Sequence, residues 1–206
     1  VISEYPERLN QIRIIENYKN LGVSATRKIG LRIACGEYVG WCDSDDWVEP
    51  DAFAKMYAAT VNSTIDIVVC PFWKEKEEGS EVVRFHECLS PQDCIIHSWK
   101  GYYFPGALWQ QICRRKMMLR CMEMITETNY AEDVFVLHLV YDLSQSIAYL
   151  PEPYYHYNCE NEASLVHNRD RSRNSWLIQK KNIDTVVKNL YANGRRRQYH
   201  VACNAL

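Results

Sequence analysis

Short apolar runs alternate with amphipathic stretches over the first third of the chain, and this alternation limits the possible folds more than any other feature. Apolar runs bounded by turn-forming residues, at 12–16, 37–41 and 65–70, predict strands. Apolar residues spaced about four positions apart predict helices at 23–35 and 50–61. Because strands that alternate with helices are typical of α/β folds, we expect a parallel sheet with helices on its faces.

The downstream sequence is less regular, and it supports coarser predictions. We expect a charged loop at 74–80, a strand at 81–87, helices at 91–100 and 131–141, partial helix at 107–122, and short strands at 147–150 and 154–157. A long amphipathic helix is predicted at 172–193, ended by Gly194. The chain has no apolar run of about 18 residues, so no transmembrane helix is expected.

Three carboxylates, Asp43, Asp45 and Asp46, follow the second predicted strand directly. Side chains two residues apart in an extended chain point the same way, and ligands of open α/β sheets bind outside the carboxyl ends of the strands. A hard cation with oxygen ligands, Mg²⁺ or Mn²⁺, is the natural partner of such a cluster. The alternative is a helix N-cap before the predicted helix at 50–61, since Asp and Ser favour that position.

Two further stretches carry candidate chemistry. The turn Asn20-Leu21-Gly22 leads into a predicted helix that contains Arg27, a combination that favours an anion, although a plain loop and helix explains it equally. Glu132 and Asp133 open the predicted helix at 131–141. They serve either as favourable charges at a helix N-terminus or as a general base.

Composition excludes several classes of function. The formal net charge of −2 gives no electrostatic case for nucleic acid, or for an anionic membrane as the main partner. The nine Cys residues contain no C-x-x-C pair, so neither a zinc site nor a small disulfide scaffold is expected. Reduced thiols in a cytoplasmic protein fit this pattern best.

Taken in order, these motifs resemble the family 2 glycosyltransferases, nucleotide-sugar transferases with the GT-A fold. The resemblance implies a Rossmann-like, mixed but mainly parallel sheet flanked by helices. The resemblance covers roughly residues 5–165 and rests on motifs whose order and spacing are specific as a set: Asn20-Leu21-Gly22, Ala25-Thr26-Arg27, Gly36-Glu37-Tyr38, Asp43-Ser44-Asp45-Asp46, Ile67-Val68-Val69, Gly106-Ala107-Leu108-Trp109, Glu132-Asp133 and Tyr154-Tyr155-His156-Tyr157 with Ser164.

The resemblance implies roles for individual residues. Asp45 is expected to hold Mn²⁺ or Mg²⁺ on the donor diphosphate, with Asp43 as its partner and Asp46 sharing the task. In the same way, Asn20, Gly22 and Arg27 are expected to line the nucleotide pocket. Asp133 matches the catalytic base, with Glu132 beside it. Trp109 and the aromatic loop that includes Tyr103 are expected to face the acceptor, with a buried core as the competing interpretation.

The function implied is inverting, metal-dependent transfer of a single sugar from a nucleoside-diphosphate sugar, foremost a UDP-sugar, to a glycan or lipid-linked acceptor. Single transfer is favoured because the Gln-x-x-Arg-Trp pattern of processive synthases is not met: Arg115 follows Gln111-Ile112-Cys113-Arg114. The alternatives are a catalytically inactive GT-A-like binding or assembly module and, more weakly, a metal-dependent phosphoryl-transfer enzyme.

The same comparison predicts the domain organisation. Residues 1–165 form the GT-A domain, with a nucleotide-sugar half at 1–73 and an acceptor half at 74–165, and residues 166–206 form a helical extension. The family's first strand is expected to precede Val1, which would make the domain N-terminally incomplete as printed. Arg195-Arg196-Arg197 are expected either to be a solvated helix end or to touch anionic lipid headgroups. We further expect a cytoplasmic location at the inner face of the membrane, and a homodimer.

Overall fold

Two four-stranded sheets with helices packed against them make up the computed structural model, which describes residues 5–85, 90–100, 106–128, 131–161 and 172–205. The helices are α1 (Val23–Ile33), α2 (Ala52–Ala58), α3 (Pro91–Trp99), α4 (Arg115–Met124), α5 (Glu132–Leu143), α6 (Arg173–Ala192) and α7 (Arg196–Ala205). The strands are β1 (Tyr38–Val39), β2 (Trp47–Val48), β3 (Ile67–Val69), β4 (Phe72–Lys76), β5 (Gly79–Val83), β6 (Gln111–Arg114), β7 (Ile147–Tyr149) and β8 (Tyr155–Asn158). Two short 3-10 helices span Pro6–Gln11 and Leu108–Gln110.

The first sheet has the order β1-β6-β3-β7 and forms the centre of the molecule. β3 pairs with β7 in parallel, whereas β6 runs antiparallel to both of its neighbours, β1 and β3. Ile67 and Val69 of β3 face the large core built with α3 to α7, and Val68 faces a smaller core built with α2. This alternation follows from the two-residue period of a strand and places helices on both sides of the sheet.

The second sheet has the order β2-β8-β4-β5 and lies beside the acidic cluster, because β2 begins directly after Asp46. β4 and β5 form a hairpin in which Lys76 pairs with Gly79, whose φ of 131° suits glycine. The predicted loop at 74–80 is therefore wrong. Three of the five residues of β4 are charged, which hid its strand character, and only Phe72 is buried.

Two further expectations about elements need correction. Residues 12–16 are extended but pair with no strand in the described part of the chain, and Ile12, Ile14 and Ile15 are exposed. The stretch 107–122 contains a strand as well as helix, because the buried run of β6 separates the 3-10 helix from α4. A short apolar run of this kind cannot be assigned to helix or strand by periodicity alone.

The α/β fold class is confirmed, with sheets of mixed direction. Within the described ranges, four of the six strand pairings are antiparallel and two are parallel, so the expected majority of parallel pairs is not found. The last two helices of the chain, α6 and α7, complete the large core, where Val186, Leu190 and Ala202 are buried. Among the described helices, each is too short or too polar to cross a bilayer.

Candidate active site

Arg27 is the residue that joins the two predicted acidic motifs. It lies on the second turn of α1, which starts after Gly22, a residue with a φ of 82° whose N–H donates to Asn20 Oδ1 at 2.9 Å. The side chain of Arg27 is 13% exposed; its Nη2 lies 2.7 Å from Asp43 Oδ1, and its Nη1 donates to Glu132 Oε1. The guanidinium group therefore brings Asp43 and Glu132 together at the start of α5.

The carboxylates at the start of α5 hold protons more tightly than usual. Burial, together with the neighbouring Asp133, raises the pKa of Glu132 to about 7, although Arg27 acts to lower it. Burial also raises the pKa of Asp133, against a hydrogen bond of 2.8 Å from Val134 N–H. Because general bases work best with a pKa near the working pH, this environment suits proton abstraction.

Ala131, directly before this pair, has a left-handed backbone with a φ of 57°. Such a conformation costs a residue with a Cβ about 1–2 kcal/mol. Strained backbone of this kind clusters at functional sites, where the surrounding structure enforces it.

The acidic cluster itself is spread over three sets of partners. Asp43 binds Arg27, and Asp45 Oδ2 accepts a hydrogen bond from Asn161 Nδ2 at 2.6 Å. Asp46 accepts from the hydroxyl of Tyr155 at 2.6 Å and from the backbone N–H of Asn158 at 2.8 Å, and burial raises its pKa. These partners were not predicted as site residues, although Tyr155 lies in one of the motifs that carried the resemblance.

The alternative interpretation of the cluster as a helix N-cap is wrong. β2 lies between the cluster and α2, and the residue before α2 is Asp51, whose side chain makes no capping hydrogen bond. The three aspartates instead connect the end of the central sheet to α1 and to β8.

The described residues contain no ready-made group of three His, Cys, Asp or Glu ligands for a metal. Mg²⁺ is commonly held by one or two carboxylates together with substrate phosphates, so the oxygen donors Asp43 and Asp45 fit such an ion. The buried indole N–H of Trp41 has no acceptor among the described residues, and the Arg27 guanidinium carbon lies 5.9 Å from the centre of that ring. An unpaired buried donor costs about 1–3 kcal/mol and is a natural contact for an oxygen-rich ligand.

Trp109 is connected to the cluster through Tyr155. The two rings stack with centroids 4.4 Å apart, and Trp109 also stacks on Tyr157 at 5.5 Å and contacts Phe72 edge-on at 4.8 Å. Trp109 as a whole remains partly exposed. The other predicted acceptor residue, Tyr103, lies outside the described residues.

A separate cleft of about 610 Å³ runs between residues 10–17 and the outer side of α1. Its lining includes Thr26, Ile29 and Ile33 but neither Arg27 nor a carboxylate of the site.

The chain is similar to proteins that are named as glycosyltransferases. The chain is 27% identical over 164 residues to EpsH and 26% identical over 177 residues to EpsJ, both of Bacillus subtilis (strain 168) and both named as glycosyltransferases. These matches cover 76% and 81% of the chain but 47% and 50% of the relatives, so the chain spans about half of their length.

Among solved structures, S. aureus TarS 1-349 in complex with UDP-GlcNAc superposes with a TM-score of 0.68 at 16% identity, covering 89% of this chain and 52% of that one. This likeness confirms the GT-A type of fold. Residues 1–118 match the family model described as glycosyl transferase family 2. Because that match spans more than half of the sequence, the chain belongs to glycosyl transferase family 2.

Proposed function

We propose that the chain transfers a single sugar, with inversion, from a UDP-sugar to a hydroxyl group of a glycan or lipid-linked acceptor in a reaction that requires Mn²⁺ or Mg²⁺. The observation that carries this proposal is the Arg27 bridge, which joins Asp43 on the donor side to Glu132 beside the base.

The donor side is assigned to the acidic cluster and to the start of α1. Asp45 and Asp43 would hold the divalent cation, which neutralises charge on the departing nucleoside diphosphate when it is bound. Asn20, Gly22 and Arg27 lie on one turn and helix, and they are assigned to the nucleotide. The UDP-GlcNAc complex of TarS supports a UDP-sugar as the donor. Asp46 holds the loop in place through Tyr155 and Asn158.

The acceptor side is assigned to the start of α5 and to Trp109. Asp133 takes the proton from the acceptor hydroxyl while the oxygen forms its bond to the anomeric carbon. The bond from that carbon to the diphosphate breaks on the opposite face, so the configuration inverts. Glu132 keeps Arg27 in position next to the base, and Trp109 offers a ring surface to the acceptor sugar.

Thermal unfolding of the full-length protein with UDP and Mn²⁺ tests the donor half of this proposal. At a ligand concentration of about 100 times the dissociation constant, binding stabilises a protein by about 2.7 kcal/mol. Asp45→Ala should abolish this stabilisation, whereas Asp51→Ala, which removes an exposed carboxylate nearby, should retain it.

Absence of any shift in the wild-type protein would instead support an inactive binding or assembly module. Hydrolysis of a panel of nucleotide sugars would then identify the donor of an active protein, and turnover of a phosphoester without a sugar acceptor would support phosphoryl transfer. A cytoplasmic location and a homodimer stay predictions.

A further inference from the structure

Positive and negative charges are distributed unevenly between residues 168–206, the tail, and the rest of the chain. Residues 168–206 contain nine Lys and Arg but two Asp and Glu, which gives the tail a formal charge of +7 within a chain of net charge −2. The remaining residues therefore carry −9. A polyanionic partner that the whole chain would repel can thus be attracted by this one region.

Most of the described positive charge of the tail lies on one face of α6. Successive residues of a helix are rotated by about 100°, so the buried Ser175, Asn182, Val186 and Leu190 define its inner side. The opposite side is exposed and carries four cations, one acid and three large apolar side chains: Arg173, Lys180, Lys181, Lys188, Asp184, Trp176, Leu177 and Tyr191. We call these eight residues the outer face of α6.

The apolar members distinguish the outer face from an ordinary solvated helix surface. Trp176, Leu177 and Tyr191 are 58%, 47% and 71% exposed. The Lys180 ammonium lies 5.8 Å from the centre of the Trp176 ring, so cation and aromatic ring occupy the same patch. Lysines together with Trp, Tyr and Leu on one exposed helix face are the pattern of helices that lie in a membrane interface.

α6 is also firmly attached beside the candidate active site. Asn182 exchanges two hydrogen bonds with the backbone of Thr126, at 2.9 and 3.0 Å. Lys28, which follows Arg27 on α1, donates to the carbonyl of Ile125 at 3.0 Å. The segment that α6 holds therefore contacts α1 on its other side. The outer face is presented by a fixed helix and does not need to fold on binding.

We propose that the outer face of α6 docks the protein on an anionic lipid bilayer. The lysines contact the acidic headgroups, and Trp176 and Leu177 enter the interface. This surface differs from the predicted contact through Arg195-Arg196-Arg197, of which Arg195 forms an ion pair of 2.8 Å with the buried Asp142. The proposal does not depend on the transfer reaction, although a membrane surface is where a lipid-linked acceptor would be met.

Flotation of the full-length protein with vesicles tests the proposal. We expect binding to phosphatidylcholine vesicles that contain phosphatidylglycerol, no binding to pure phosphatidylcholine, and loss of binding at high salt. Each cation near an anionic surface strengthens binding about fivefold, so the triple variant Lys180→Gln, Lys181→Gln and Lys188→Gln should bind about 100-fold more weakly. The matched control changes three exposed lysines elsewhere, Lys55, Lys76 and Lys116, to Gln and should bind like the wild type.

A second variant, Trp176→Ala with Leu177→Ala, tests the apolar contribution independently of charge. It should bind vesicles at least tenfold more weakly, whereas thermal stabilisation by UDP and Mn²⁺ should stay as in the wild type. Equal binding to neutral vesicles or unchanged vesicle binding of the triple variant would overturn the proposal. So would variants that lose self-association while their vesicle binding stays as in the wild type. In each of these cases the nucleotide response would still report separately on the proposed transferase.

Discussion

The two acidic regions of the site meet at the same arginine but have opposite surroundings. Asp43, Asp45 and Asp46 each have hydrogen-bond donors of their own and are partly exposed. Glu132 is 6% exposed, and its pKa of about 7 reflects burial and the adjacent Asp133. Under the proposed function, the first region binds the donor and the second takes up a proton. Variants in the two regions should therefore differ in what they damage.

The largest effect is expected from Asp133→Asn. If Asp133 is the general base, turnover should fall by about 10²–10⁴ because the amide cannot accept the proton of the acceptor hydroxyl. Nucleotide affinity should change little, since the donor contacts are assigned to the other region. Steady-state kinetics with the donor that the nucleotide-sugar panel identifies gives both the turnover and the affinity. Asp51→Asn provides the same chemical change at an exposed site. Near-normal turnover in Asp133→Asn would remove it from the role of base.

Arg27→Gln breaks the connection between the two regions and should have the next largest effect. Removing one partner of a buried ion pair typically costs about 3–5 kcal/mol, because the remaining charge is left without compensation. Glu132 can relieve this cost by protonation, since loss of Arg27 raises a folded-state pKa that already lies above the unfolded value. Stability from such a group is lost as the pH rises through the folded pKa.

The destabilisation of Arg27→Gln should thus be clearly greater at about pH 8 than at about pH 6. Urea unfolding at both pH values measures it, and Arg27→Lys, which keeps the charge but not the forked geometry, should lose less. An equal loss at both pH values would show that Glu132 does not respond to Arg27.

The two regions also differ in how far the sequence reveals them. The local pattern predicted α1, α3, α5 and α6, because helices depend on periodicity within a short stretch. The roles of Asp43, Asp45 and Asp133 stay predictions that rest on the order of motifs along the chain. The bond between Arg27 and Glu132 joins residues 105 positions apart, and nothing local encodes it. The hairpin of β4 and β5 was missed because three of the five residues of β4 are charged. Residues 12–16 were assigned to a strand from apolar content alone, although a strand also needs a partner.

Glu132→Gln tests the second region through the pH dependence of the protein's stability. The pKa of Glu132 is raised from an ordinary value of 4.5 to about 7, so the folded protein favours the protonated form. Its contribution is fully present below the unfolded pKa and is lost as the pH rises through about 7. Since one pKa unit corresponds to about 1.4 kcal/mol, the wild type should lose about 1–3 kcal/mol relative to Glu132→Gln between about pH 5 and about pH 8.

Parallel thermal unfolding curves of the two proteins across this range report the contribution of Glu132 together with its effect on the adjacent Asp133. Asp93→Asn, a change of the same kind beside the start of another helix, serves as the comparison. A constant difference in melting temperature at every pH would mean that Glu132 titrates as an ordinary carboxylate.

Tyr155→Phe should have the smallest effect, and that effect should be confined to the region of Asp43, Asp45 and Asp46. The hydroxyl donates to Asp46 Oδ2 at 2.6 Å and accepts from the N–H of Asp43 at 3.1 Å, whereas the ring supports Trp109. Its loss should cost about 1 kcal/mol, which corresponds to a fall in melting temperature of about 2–4 °C for a protein of this size.

Because the hydroxyl of Tyr155 holds the loop that carries the three aspartates, its removal should weaken metal-dependent nucleotide binding a few-fold and leave kcat unchanged. Titration calorimetry with UDP and Mn²⁺, beside steady-state kinetics, separates the two quantities. Tyr57→Phe, on the exposed side of α2, removes a hydroxyl without touching the loop and should change neither. A fall in kcat with unchanged nucleotide affinity would mean that the loop and the base are not separate in function. Loss of the hydrogen bond to Asp46 would then have impaired the step assigned to Asp133.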